Sequence, residues 1–203
     1  MMTLTAHALV CTLKGSPQQS SSDLITYQLL DEFRNQGVAV DSARVVDYDV
    51  RPGITADEGN GDEWPILRRA VLDADILLLA TPTWVGHMSS VAQRVLERLD
   101  AELSETDGEG RPDMVGKVAT AAVVGNEDGA HKVIADLFQG LNDIGFTIPA
   151  QGATYWNGEA MSGTDYRDLN EVPPQVKSTN GAVVRNAIHT ARLLRSDPYP
   201  PYS

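Results

Sequence analysis

The chain has one cysteine, Cys11. That excludes an internal disulfide, a Cys-x-x-Cys redox pair and a cysteine-ligated cluster. No apolar run is long enough to span a bilayer. The N-terminus lacks the basic stretch, apolar run and small-residue cleavage site of a secretory signal. Basic residues are scarce: 16 Lys and Arg stand against 28 Asp and Glu, for a net charge of −12. An acidic surface repels DNA, RNA and anionic lipid, so neither nucleic acid nor membrane is an expected partner. Gly-x-Gly-x-x-Gly is missing, which argues against a dinucleotide-type turn. Gly-x-x-x-x-Gly-Lys-Ser/Thr is missing too, which argues against an NTPase loop. No His-Glu-x-x-His, paired His/Cys or Ser/His/Asp arrangement stands out, so neither a metal site nor a catalytic residue set is expected. What is present is 203 residues with 42% apolar content, enough for one domain with a substantial core. A cytoplasmic location is the default expectation.

The apolar pattern alternates between two periods. Short β-branched runs fall near residues 8–13, 43–47, 76–81, 117–124 and 147–153. Between them, Val91, Val95 and Leu99 recur at helical spacing, as do Ile134, Leu137, Phe138 and Leu141, and Val184, Ala187, Ile188 and Ala191. Strands alternating with helices predict right-handed crossovers and a parallel sheet covered on both faces. Residues 48–63 are polar and acidic and read as a long exposed connection. Residues 154–178 read as a longer excursion, and their aromatics place it near a ligand crevice or a subunit contact. The tail, 197–203, cannot be helical and reads as a frayed extended end.

Three loops follow the strands that carry chemistry. The first is Gly15-Ser16-Pro17-Gln18-Gln19-Ser20-Ser21-Ser22-Asp23. The second is Thr81-Pro82-Thr83-Trp84-Val85-Gly86-His87, and the third is Gly125-Asn126-Glu127-Asp128-Gly129-Ala130-His131. In an open parallel sheet the carboxyl ends of neighbouring strands share one crevice. The serines of the first loop fit two roles. They cap a helix, or they donate to a phosphate at the helix N-terminus, where unpaired N–H groups and partial positive charge favour a dianion. The other two loops are small and Gly-containing, and the second carries Trp84, which suits a flat ring or ordinary packing. His87 and His131 lie at the crevice mouth, where a solvated loop histidine is the commoner state. His7 and His189 read as surface residues, and Cys11 as a buried, inert thiol.

Taken together, Gly15-Ser16-Pro17 with its trailing serines, Thr81 to Gly86, and Gly125 to His131 resemble the flavodoxin-like NAD(P)H-dependent FMN reductases, with their quinone reductases and multimeric flavodoxins. Tyr155-Trp156-Asn157-Gly158, with Gly163 and Tyr166, is similar to that family's last long loop. The resemblance covers nearly the whole chain. It implies an α/β fold: a flavodoxin-like, doubly wound, five-stranded parallel sheet of order 2-1-3-4-5 in a three-layer α/β/α arrangement. It also implies FMN at the strand ends and a homodimer or homotetramer.

Carried over by motif, Ser16, Ser21 and Ser22 hold the FMN phosphate. Gln18 stands where the family often has Arg, and Ser22-Asp23 where it has Asn-Thr. Pro82, Thr83, Trp84, Val85 and Gly86 line the isoalloxazine ring, as do Gly125, Asn126, Asp128, Gly129 and Ala130. A carboxylate at Asp23 must then point away from the phosphate. The implied activity passes hydride from NADPH or NADH through bound flavin to a quinone, azo or free-flavin acceptor. A flavodoxin-type electron carrier and a non-catalytic domain on the same fold remain open alternatives.

Overall fold

The central strands are apolar on both sides because helices cover both faces of the sheet. A computed structural model of the chain describes residues 3–160 and 162–202. Strands β1 (Thr5–Val10), β2 (Ala39–Arg44), β3 (Ile76–Trp84), β5 (Val118–Gly125) and β6 (Ala153–Asn157) form a parallel sheet in the order β2-β1-β3-β5-β6. A two-residue strand, β4 (His87–Met88), pairs antiparallel with the end of β3. Setting β4 aside, this is the doubly wound 2-1-3-4-5 order expected from the sequence, and the fold is flavodoxin-like.

Helices α1 (Ser21–Asn35) and α5 (Pro174–Ser196) bury Ile25, Leu29, Phe33, Val183, Val184 and Ala187 against Ala6, Ala8, Leu78 and Ala122 of one face. Helices α2 (Trp64–Asp73), α3 (Ser90–Leu99) and α4 (Ala130–Asp143) cover the other. There Leu67, Val71, Val95, Leu99, Val133, Leu137 and Leu141 meet Leu9, Leu77, Leu79, Ala119 and Ala121. The expected helical stripes all lie in these two cores.

The connection at 48–63 is long and largely exposed, as the sequence predicts, but it is not loose. The guanidinium of Arg98 on α3 is fully buried beneath it and donates to the carbonyls of Arg51 (2.9 Å) and Thr55 (2.8 Å) and to the Asp62 carboxylate (2.7 Å). Asp62 also accepts from the backbone N–H groups of Arg51, Glu58 and Trp64. Burial works to raise the Asp62 carboxyl, but the Arg98 and backbone donors outweigh it and hold the carboxyl well below the usual carboxylate range. The stretch 154–178 is likewise not one excursion, because it starts inside β6 and ends inside α5. The tail is pinned rather than frayed over its described part. Arg111 Nη1 donates to the Tyr199 carbonyl (2.6 Å), and Tyr202 N–H donates to the Glu109 carbonyl (3.0 Å).

His7 departs from its surface assignment too. It is 5% exposed in β1, across from Asp41 of β2, with Nδ1 3.6 Å from the carboxylate. Burial pushes its imidazole below the ordinary histidine range, against the upward pull of Asp41. A folded-state value below the unfolded one, about 6.5, means the unfolded chain binds more protons in that interval. Stability contributed by neutral His7 is therefore present above about pH 6.5 and is lost as pH falls through it. Urea unfolding should show a midpoint that falls from about pH 7.5 to about pH 5.5. His7→Gln should flatten that slope.

Candidate functional site

The crevice forms at the carboxyl ends of the neighbouring strands β1 and β3, where α1 leaves β1 on one face of the sheet and α3 leaves β3 on the other. Ser89 ties this floor together. Its side chain caps α3 by accepting from Ala92 N–H (3.1 Å) and donates to the Cys11 carbonyl (2.6 Å), while its N–H donates to Thr81 Oγ1 (3.1 Å). The Cys11 thiol is fully buried, and burial pushes it well above its ordinary range, so it stays inert.

An open crevice of about 600 Å³ lies above this floor. One end is polar: Thr12, Lys14, Ser20, Ser21 and Ser22 surround the start of α1. Ser20 is the helix cap. Its Oγ accepts from Ser22 N–H (3.2 Å) and donates to Thr12 Oγ1 (3.0 Å). Ser22 Oγ is buried with no hydrogen-bond partner among the described residues. Lys14 forms no ion pair among them. The other end is flat and aromatic, lined by Pro82, Thr83, Trp84, Gly125, Asn126 and Trp156. Thr83 Oγ1 is a second buried hydroxyl with no partner among the described residues.

Asp23 does not face that polar end as a free carboxylate. It pairs with the Arg44 guanidinium, which also donates to the carbonyls of Lys14 (3.1 Å) and Gln18 (2.8 Å). Arg44 at the end of β2 thus organises the first loop and neutralises the charge that the sequence set against a phosphate. Burial pushes the Asp23 carboxyl up and Arg44 draws it down, with a smaller upward push from Asp47.

The crevice wall gathers Ser21, Ser22, Pro82, Thr83, Trp84, Gly125 and Asn126 from the sequence-predicted set. Ser16, Gln18, Val85, Gly86, Asp128, Gly129 and Ala130 stand outside it. Ser16 is turned to Asp47, donating through N–H (2.8 Å) and Oγ (2.5 Å). These two bonds hold the Asp47 carboxyl below its usual range. Val85 and Gly86 form the two-residue turn between β3 and β4, both at positive φ (52° and 71°). Val85 N–H donates to Glu127 Oε1 (2.7 Å), which locks the second loop to the third. Gly129 has φ 127°, and a Cβ there would lie 2.7 Å from Gly86 Cα, so the two loops meet backbone to backbone. Asp128 accepts from Gly129 N–H (2.7 Å), and Ala130 is buried in the core.

A β-branched residue at φ 52° is strained, and this turn type favours Asn-Gly. Val85→Asn should therefore stabilise the protein by about 1 kcal/mol, read from urea unfolding.

The crevice also holds Thr12, Leu13, Lys14, Ser20, Val124, Asp165 and Tyr166, which were not assigned from sequence. Thr12 and Leu13 fall within the apolar run at 8–13, whereas β1 ends at Val10. Asp165 and Tyr166 arrive from the loop after β6. Tyr166 is buried, donates to Gln28 Oε1 (2.6 Å) and packs against Trp156 with ring centroids 5.4 Å apart.

A family model described as NADPH-dependent FMN reductase matches residues 8–160. The chain belongs to the NADPH-dependent FMN reductase family. Among members and relatives, the 8-demethyl-8-aminoriboflavin-5'-phosphate synthase of Streptomyces davaonensis is 31% identical over 98% of this chain and 81% of its own length. A protein named divalent metal cation transporter MntH, from Mycobacterium bovis, is 37% identical over 95% of this chain, which spans 29% of that protein. No helix among the described residues is long and apolar enough to cross a membrane. The crystal structure of RosB with the bound intermediate 8-demethyl-8-formylriboflavin-5'-phosphate superposes with a TM-score of 0.87 at 29% identity, covering 97% of this chain and 82% of that one. A Streptococcus flavodoxin shares the fold with a TM-score of 0.59 at 13% identity, over 92% and 98% of the two chains. This FMN reductase family member is a flavodoxin-like flavoprotein, and its crevice lies where that fold places a ligand.

Proposed function

We infer that the protein is an FMN-dependent oxidoreductase that uses NADPH or NADH to reduce a quinone, azo compound or free flavin. The observation that carries this reading is the two-ended crevice. Its polar end offers the start of α1, the hydroxyls of Ser21 and Ser22 and the ammonium of Lys14, a set suited to a phosphate dianion. Its flat end offers Trp84, Trp156 and the Gly125-Asn126 backbone, a set suited to a fused ring. The partnerless Ser22 and Thr83 hydroxyls at the two ends fit a ligand that spans them. The Arg44–Asp23 pair neutralises the carboxylate in the first turn of α1, next to the proposed phosphate position.

When bound, FMN supplies two-electron transfer between a nicotinamide and an acceptor. The chain's own residues bind and orient. Ser21, Ser22 and Lys14 fix the phosphate end. Pro82 and Gly125 bring backbone close to the ring. Trp84, 52% exposed, covers an edge of the crevice open to incoming substrate. A second copy of the chain over exposed Trp84 and Val85 belongs to the same reading, as does a cytoplasmic location.

A second reading takes the flavin as the substrate. It is favoured by the synthase from Streptomyces davaonensis, whose name describes a flavin phosphate altered at position 8. One experiment separates the two. Protein loaded with FMN is mixed in air with NADPH or NADH, a quinone and amino acids as nitrogen donors, and both the nucleotide and the flavin mass are followed. The first reading expects FMN-dependent nucleotide oxidation with flavin recovered at unchanged mass. Stoichiometric conversion of FMN to a flavin of new mass, without nucleotide oxidation, would contradict it and support the second. Flavin binding with neither outcome would favour an electron carrier.

A further inference from the structure

The loop after β6 touches both the ring end and the phosphate end of the crevice, and Asp165 lines the crevice between those contacts. At the ring end, Asn126 Nδ2 donates to Asp165 Oδ1 (3.3 Å). Two residues further on, Arg167 N–H donates to Ser21 Oγ (3.3 Å) and Arg167 Nη1 to the Gln19 carbonyl (2.7 Å), both in the first loop. Arg167 Nη2 lies 3.5 Å from the Asp165 carboxylate. The Asp165 side chain is 38% exposed and lines the crevice. Asp165 is thus held between the two ends, with Arg167 offsetting its charge.

A carboxylate at neutral pH accepts hydrogen bonds and donates none. It would repel a phosphate dianion, and its place is between the flat and polar ends rather than at either. The chemistry that satisfies it is a row of hydroxyl donors joining a ring to a phosphate. We propose that Asp165 is the residue by which this site selects flavins carrying an intact polyol chain, accepting hydrogen bonds from the ribityl hydroxyls. This rests on the FMN reading above and adds a specificity determinant to it. Tyr166 is not a rival for that role, because its hydroxyl is committed to Gln28.

The test uses three probes against the full chain: FMN, riboflavin, which lacks the phosphate, and lumiflavin, which lacks the polyol. Binding is read by quenching of flavin fluorescence. In Asp165→Ala, riboflavin affinity should fall about tenfold or more, as expected for loss of a charge-assisted hydrogen bond. Lumiflavin affinity should stay within about twofold of wild type. FMN should lose less than riboflavin, because removal of one negative charge also eases the phosphate. Asp165→Asn keeps an oxygen acceptor, so its riboflavin loss should be intermediate, and it carries the test should the alanine variant fold poorly. Unchanged riboflavin affinity in both variants, or a parallel fall for lumiflavin, would overturn the proposal. Wild-type protein that binds none of the three would overturn the FMN reading itself, and the proposal with it.

Discussion

Ser21→Glu should abolish FMN uptake. Ser21 lies in the crevice wall at the first residue of α1. A carboxylate there would stand a few ångströms from a bound phosphate. At about 4 Å, one unit pair in partly solvated surroundings costs about 4 kcal/mol, and solvent at the open crevice screens part of that. A loss of at least about a hundredfold in FMN affinity is the expected result, measured by fluorescence quenching. The fold should not suffer, because an acidic residue in the first turn of a helix is favoured by the dipole. An unchanged melting temperature beside lost uptake is therefore the specific signature. Ser21→Ala should lose about tenfold, since one hydrogen bond to the phosphate dianion is at stake and no charge is introduced. Retained uptake in Ser21→Glu would put the phosphate elsewhere.

Asp62→Ala should be the most damaging single substitution outside the crevice. It leaves the Arg98 guanidinium buried without its counter-charge and frees the backbone N–H groups of Arg51, Glu58 and Trp64. Breaking one side of a buried ion pair costs about 3–5 kcal/mol. Urea unfolding should show a lowered midpoint with an unchanged slope. Replacing both partners removes the stranded charge as well, so Asp62→Ala with Arg98→Leu should cost less than the sum of the two single changes. Full additivity would mean that the pair does not hold the 48–63 connection in place.

The sheet order was legible in the sequence because each parallel strand is buried on both faces and appears as an apolar run between helical stripes. Its boundaries were less so. Thr12 and Leu13 extend the apolar run of β1 but lie past its last paired residue, Val10, and so belong to the crevice. The run at 147–153 reads as the last strand, yet Thr147 makes only an isolated bridge to Val118. Pro149 has no N–H to offer a ladder, and regular pairing resumes at Ala153.

Long-range polar contacts left no periodic trace. Arg98 sits beside Leu99 in a helical stripe, and its partner Asp62 is 36 positions away in a stretch that looks solvated. Arg44 and Asp23 are 21 positions apart and meet only because β2 returns beside β1. The first loop advertised its serines, but spacing alone could not say that Ser20 caps the helix while Ser16 turns to Asp47. Asp165 gave no signal, because its role depends on a loop that touches both ends of the crevice.

The central claim is that FMN occupies the crevice with its phosphate at the start of α1. A calorimetric titration of the purified chain with FMN and then with riboflavin tests it most directly. The account predicts saturable binding of one FMN per chain, with riboflavin binding more weakly for want of the phosphate. Absence of saturable heat with FMN, or equal affinity for the two flavins, would contradict it.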